Sequence, residues 1–200
     1  MANKVIALFV EGPTEIEFYK AVIKRVHDLM DTPFTCSFEW VDMSGIGNYK
    51  KDALRKFNYI KNKNPNKEIR VFMCIDSDAF EFSKKPPFNK KAVAAALKEA
   101  GAKQATYITA RQSIEEWFLS DFEGILDFLR LAHTTKRPKG TGQEALKTLF
   151  KLANKVYVKG SKVEGFVNKL DISKIMTEHC TDIKTLCNTI GLDCKKVCNK

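Results

Sequence analysis

The sequence predicts an α/β layer fold: a mostly parallel sheet flanked by helices, with a basic helical extension toward the C-terminal end. Three observations predict it. Short apolar runs alternate along the chain with longer segments of helical periodicity, the order that lays helices over a parallel sheet. The runs at residues 5–10 and 69–75 are apolar at nearly every position, as strands covered on both faces must be. Both stop abruptly at carboxylates, Glu11 and the pair Asp76 and Asp78, at the strand ends where α/β folds gather ligands.

The first run leads through Glu-Gly-Pro-Thr into a helix whose apolar surface is Ile16, Phe18, Tyr19, Ala21, Val22, Ile23 and Val26. Thr14 is placed to cap that helix, with Glu17 three residues on completing a capping box. Residues 34–43 form a second strand, and a glycine-containing turn at 44–48 opens a helix over 50–60. A polar turn at 62–66 precedes the strand at 69–75. A Lys-Pro-Pro loop, a helix over 90–100 and a strand at 105–110 follow. Beyond Arg111 the pattern is helical: 114–131, 143–156, a shorter segment at 164–170, then 171–190. The loop at 134–142, rich in Thr, Lys, Pro and Gly, divides an α/β domain at 1–133 from a helical extension at 134–200.

A chain of 200 residues, 44% hydrophobic and 29% charged, has the composition of one folded domain with an appendage, which excludes disorder as a whole-chain description. Its apolar runs fall far short of the ~18 residues of a membrane span, and the first apolar run leads into Glu11 rather than a cleavage site. A cytoplasmic protein with no membrane partner is expected. In that reducing compartment Cys36 and Cys74 read as small buried hydrophobes. Cys180, Cys187, Cys194 and Cys198, beside His179, lack a C-x-x-C pair and suit an apolar helical stripe at least as well as a zinc site.

Charge is uneven. Residues 1–133 hold 20 Lys or Arg against 18 Asp or Glu, whereas residues 134–200 hold 14 against 6. Such a field favours a polyanion, nucleic acid first, although a lysine-rich face also serves solubility. Arg111, Lys139, Lys155, Lys159 and Lys162 are the candidate phosphate contacts. Lys147, Lys151, Lys155 and Lys159 recur every four residues, as on one helix face.

Three acidic clusters carry the candidate chemistry: Glu11 and Glu15, Asp76 and Asp78, and Glu115 and Glu116. Loop carboxylates ordinarily cap helices and turns. Here an Asp-x-Asp straight after a hydrophobic strand sets two like charges side by side, which repel unless a cation neutralises them. A neighbouring strand delivering Glu11 would complete an oxygen-rich pocket for Mg²⁺ or Mn²⁺. Trp117, Phe118 and Leu119 read as packing for the helix carrying Glu115, Glu116 and Asp121 as surface or supporting residues, and His27, His133 and His179 as structural.

Together these residues resemble the Toprim fold, a Rossmann-like arrangement, and within it the small stand-alone proteins related to OLD-family and RloB-like nucleases. The resemblance is carried by Glu11, Gly12, Thr14 and Glu15, by Asp76 and Asp78, and by Ser113, Glu115 and Trp117, in the family's order. It implies Mg²⁺- or Mn²⁺-dependent phosphodiester chemistry on DNA or RNA with one or two ions, in the setting of phage defence and with a partner ATPase. Glu11 is then ligand or general base, Asp76 and Asp78 are ligands, Glu115 and Glu15 further ligands, and Lys159 the stabiliser of the phosphate's developing charge. Topoisomerase activity needs a separate tyrosine-bearing domain that 200 residues leave no room for, and primase activity needs nucleotide-handling and template-binding domains that no segment here matches. The alternatives are a non-catalytic module that binds nucleic acid or an ATPase around a structural Mg²⁺, and a purely structural α/β protein.

Overall fold

The computed structural model describes residues 3–193 apart from 31, 82, 160, 162 and 164. Four strands, β1 (Lys4–Val10), β2 (Cys36–Asp42), β3 (Glu68–Asp76) and β4 (Gln104–Ala110), form one all-parallel sheet in the order β2-β1-β3-β4. The protein is therefore α/β with a Rossmann-like sheet flanked by helices. No helix among the described residues is long and apolar enough to cross a membrane.

The two central strands carry the continuous apolar runs because both of their faces are covered. Ile6, Leu8 and Val10 enter one core with α1 (Pro13–Asp28), while Val5, Ala7 and Phe9 enter the other with α2 (Asn48–Lys63) and α4 (Lys90–Glu99). Right-handed crossovers explain the division. From β1 the chain steps one way to β2; through β3 and β4 it steps the other way, so the connecting helices change face. The reversal makes the carboxyl ends of β1 and β3 the switch point, where parallel strands diverge and leave a crevice. Beyond the last paired residues, Phe9 and Met73, the buried Tyr49 hydroxyl bridges the gap, 2.9 Å from the Phe9 carbonyl and 2.6 Å from that of Cys74.

The α1 face is completed by the C-terminal half of the chain. Helices α5 (Ile114–Leu119), α6 (Phe122–Leu129), α7 (Gly142–Leu152), α8 (Ile172–Glu178) and α9 (Cys180–Ile190) give Trp117, Phe118, Leu146, Phe150, Ile175 and Leu186 to the core that holds Ile6 and Leu8. Gly142 lets α7 sit against α5: a Cβ there would lie 2.7 Å from the Glu116 nitrogen.

The sequence reading differs from the structure in five places. The expected helix at 114–131 is two helices, because the buried Asp121 carboxylate turns to the backbone N–H groups of Gly124 and Asp171. The expected helix at 143–156 ends at Leu152, and Asn154 takes a left-handed φ of 54°. The four-residue lysine stripe therefore does not continue to Lys155 and Lys159. The segment at 171–190 breaks at His179, whose ring stacks on Trp117 at 4.8 Å and shares a 2.8 Å hydrogen bond with Ser120. Finally, Gly12, not Thr14, is the N-cap of α1, and a short unpredicted helix, α3 (Asp78–Glu81), follows β3.

Cys36, Cys74 and Cys187 are buried, as small hydrophobes would be. Cys180 is disulfide-bonded, so its sulfur is no thiolate ligand. Cys194 and Cys198 lie outside the described residues.

Candidate functional site

Glu11 is the first residue past β1, and Gly12 and Pro13 turn the chain into α1. Gly12 is extended (φ −167°), a conformation any residue adopts, so the turn owes its start to Pro13 at the first helical position. Glu15, at the third helical position, reaches back so that its Oε2 accepts the backbone N–H of Glu11 and, at 3.2 Å, that of Gly12. The capping box expected of Thr14 and Glu17 is made by Glu15 instead, because the cap sits two residues earlier. Thr14 donates its hydroxyl to the Ser161 carbonyl.

Asp76 ends β3 and is 2% exposed. Its Oδ1 accepts the Ile114 N–H at 2.8 Å, its own N–H donates to Glu11 Oε1 at 3.2 Å, and its Oδ2 accepts the Lys159 ammonium at 2.7 Å. Glu115, in the first turn of α5, is fully buried; its Oε1 accepts the Tyr157 hydroxyl at 3.0 Å, and its Oε2 has no partner among the described residues. Glu11, Glu15, Glu115, Tyr157 and Lys159 line one cleft of about 510 Å³, with Asp76 directly behind Lys159. The cleft opens at the switch point, as the strand-end acids predict.

The fold thus brings Glu11, Glu15, Asp76, Glu115 and Lys159 together. Asp78 stands apart: it is half-buried at the start of α3 and does not line the cleft, although its charge adds to the field on Asp76 and Glu11. Ser113 is buried at the N-cap of α5 without capping through its side chain, since Asp76 accepts the neighbouring amide. Glu116 pairs with Arg137 at 2.6 Å on the surface. Arg111, Lys139 and Lys155 are exposed, the last with its ammonium 4.6 Å from the Phe128 ring centre. Lys162 lies outside the described residues. Asp42 at the end of β2 also lines the cleft, its Oδ1 accepting the Ser44 N–H at 2.6 Å. The strand-end rule that found Asp76 applies equally to the Val41-Asp42 step. Nothing local distinguishes Tyr157, whose partner is 42 residues away.

Burial dominates the electrostatics. It raises Glu11 from 4.5 to about 7, with repulsion from Asp76 adding to it, and lifts Glu15 well above its ordinary value. Asp76 rises from 3.8 to about 6 because burial outweighs the attraction of Lys159. For Lys159 burial alone would lower the pKa, but the Asp76 charge and hydrogen bond hold it above the ordinary range.

No family model matches the chain. The curated proteins and the solved structures yield no match either.

The site itself must therefore carry the reading, beginning with whether its donors suit a divalent cation. Four carboxylates with one nearby ammonium make a hard-oxygen set in excess of its counter-charge, and the orphaned Glu115 oxygen lacks a positive partner; both suit Mg²⁺. As the side chains stand, no three His, Cys, Asp or Glu among the described residues are set to hold a metal ion. The reason is visible in the bonds: Glu11 and Glu15 face backbone amides, and Lys159 occupies Asp76.

The raised carboxyl values have a consequence for stability. Folded Glu11 keeps its proton to higher pH than the unfolded residue, so stability falls as pH rises from 4.5 through about 7. Glu11→Gln, which stays neutral and retains an acceptor for the Asp76 N–H, should melt above wild type at about pH 8 in EDTA. The gap should close toward about pH 5, where both side chains are uncharged. Melting curves at the two pH values check this, and a gap that widens on acidification would contradict it.

Proposed function

We propose that the cleft is the active site of a Toprim-type, divalent-metal-dependent phosphodiesterase acting on nucleic acid. One observation carries the reading: at the switch point of a parallel sheet, the half-buried Glu11 just past β1 accepts the N–H of the buried Asp76, Asp76 pairs with a single lysine, and the buried Glu115 of α5 has one oxygen with no donor among the described residues. A purely structural role gives no reason to crowd acids whose burial raises their pKa values this far.

Asp76 and Glu115 would hold the cation, with Glu11 and Glu15 beside them and Asp78 at the margin. A bound Mg²⁺ or Mn²⁺ ion supplies charge neutralisation at the scissile phosphate and acidifies water. Glu11, titrating near 7, is matched to accepting a proton from an attacking water at neutral pH. Lys159, kept protonated, would donate to the phosphate oxygens as their charge grows. Its side chain is about one-third exposed, so it has room to turn from Asp76 toward a ligand in the cleft.

Incubation with plasmid, single-stranded DNA, tRNA and ribosomal RNA in Mg²⁺ or Mn²⁺ tests the proposal. Products that vanish with EDTA support it; full cleavage in EDTA overturns the mechanism. Tight nucleic-acid binding without products in either metal would favour the binding module around a structural Mg²⁺ instead.

Arg111 and the basic C-terminal part are assigned the substrate grip. If Arg111, Lys139 and Lys155 each contact a phosphate, the triple alanine variant should lower the log-log salt slope of oligonucleotide binding by about three. Fluorescence anisotropy between ~50 and ~200 mM salt measures it. An unchanged slope returns these exposed side chains to a solvated surface.

A further inference from the structure

The segment after α7 reaches the cleft by an alternation. Val156 and Val158 are 81% and 52% exposed, whereas Tyr157 is 4% exposed and Lys159 turns inward onto Asp76. Residues two apart on such a segment share a side, so one short stretch delivers both side chains to the acidic cluster. Lys159 is within the expected chemistry; Tyr157 is not.

We propose that Tyr157 is a positioning residue for Glu115, holding Oε1 so that Oε2 remains an uncommitted acceptor for a cation in the cleft. The proposal rests on reading the cleft as a divalent-cation site. Three facts carry it. The hydroxyl donates to Glu115 Oε1 at 3.0 Å, and both residues are buried. Glu115 Oε2 is buried with no partner among the described residues, although Glu115 lines the cleft. The Tyr157 ring packs separately, 5.2 Å from that of Phe150, so packing and hydrogen bonding are separable functions of one side chain. A carboxylate with one oxygen fixed cannot swing both oxygens toward protein donors. Partners that orient a ligand in this way typically change metal affinity 10–100-fold when removed.

The test is Mn²⁺ titration of the full chain, reading free Mn²⁺ by its paramagnetic resonance signal, for wild type, Tyr157→Phe, Glu115→Gln and the double variant. Phenylalanine keeps the ring and removes only the hydroxyl. Tyr157→Phe should bind Mn²⁺ about 10–100-fold more weakly while its melting temperature without metal stays near that of wild type. The double variant should be no weaker than Glu115→Gln alone, because no carboxylate remains to be positioned. A Tyr157→Phe affinity equal to wild type overturns the proposal and leaves the metal reading standing. Absence of Mn²⁺ uptake by wild type overturns both. Should Tyr157→Phe fail to fold, the wild type decides: Mg²⁺ must perturb the tyrosine ultraviolet absorption, and an unperturbed spectrum overturns the proposal.

Discussion

Asp76→Asn should reduce metal-dependent cleavage by at least about 10³-fold while costing little stability. The residue is 2% exposed and joins three elements: Glu11 through its N–H, α5 through Ile114 and the 157–159 segment through Lys159. Asparagine fills the same space, and its oxygen still accepts the Ile114 amide. Its NH₂ group would then face the Lys159 ammonium, donor against donor, and the charge needed to hold a cation would be gone. Breaking a buried ion pair from one side usually costs about 3–5 kcal/mol. Asp76 should cost less, because burial raises its pKa from 3.8 to about 6, so the folded site holds the ionised form less well than water does, Lys159 notwithstanding. Activity and stability should therefore separate. Cleavage rates and thermal melts on the same preparation check both, and retention of more than a tenth of wild-type cleavage would remove Asp76 from the mechanism.

Lys159→Met should produce opposite effects on two quantities. Losing a donor to a developing oxyanion typically costs about 10²–10³ in turnover. Yet the same ammonium lies 2.7 Å from Asp76 Oδ2, where a divalent cation at Asp76 would have to displace it. Removing it should tighten Mn²⁺ binding, by about tenfold if displacement costs no more than a partly exposed ion pair is worth. Without metal the variant should be less stable than wild type, since Asp76 loses its counter-charge; added Mn²⁺ should restore the difference. Titration, turnover and melting temperature together decide. Weaker Mn²⁺ binding in Lys159→Met would mean that the lysine supports the cation site rather than competing for it.

The strands, the mostly parallel character of the sheet and the strand ends at which the cleft opens were legible because they depend on short-range pattern. Continuous apolar runs at 5–10 and 69–75 require cover on both faces, and an acid immediately after such a run sits at a strand end. The same logic would have reached Asp42. Helix breaks were less legible. Asp121 and His179 stop helices through partners such as Asp171 and Trp117, which periodicity does not register.

What the sequence alone determined, then, is the layered fold and the acids at its switch point, because hydrophobic period and chain order act over a few residues at a time. The tertiary structure decided which groups those acids meet. Lys159 reaches Asp76 across 83 positions and Tyr157 reaches Glu115 across 42, and both follow from where α7 packs on α5. A lysine at residue 155 or 159 looks the same in a basic sequence. Only the fold sets one over Phe128 on the surface and the other against a buried carboxylate, because that choice is made by packing between distant segments.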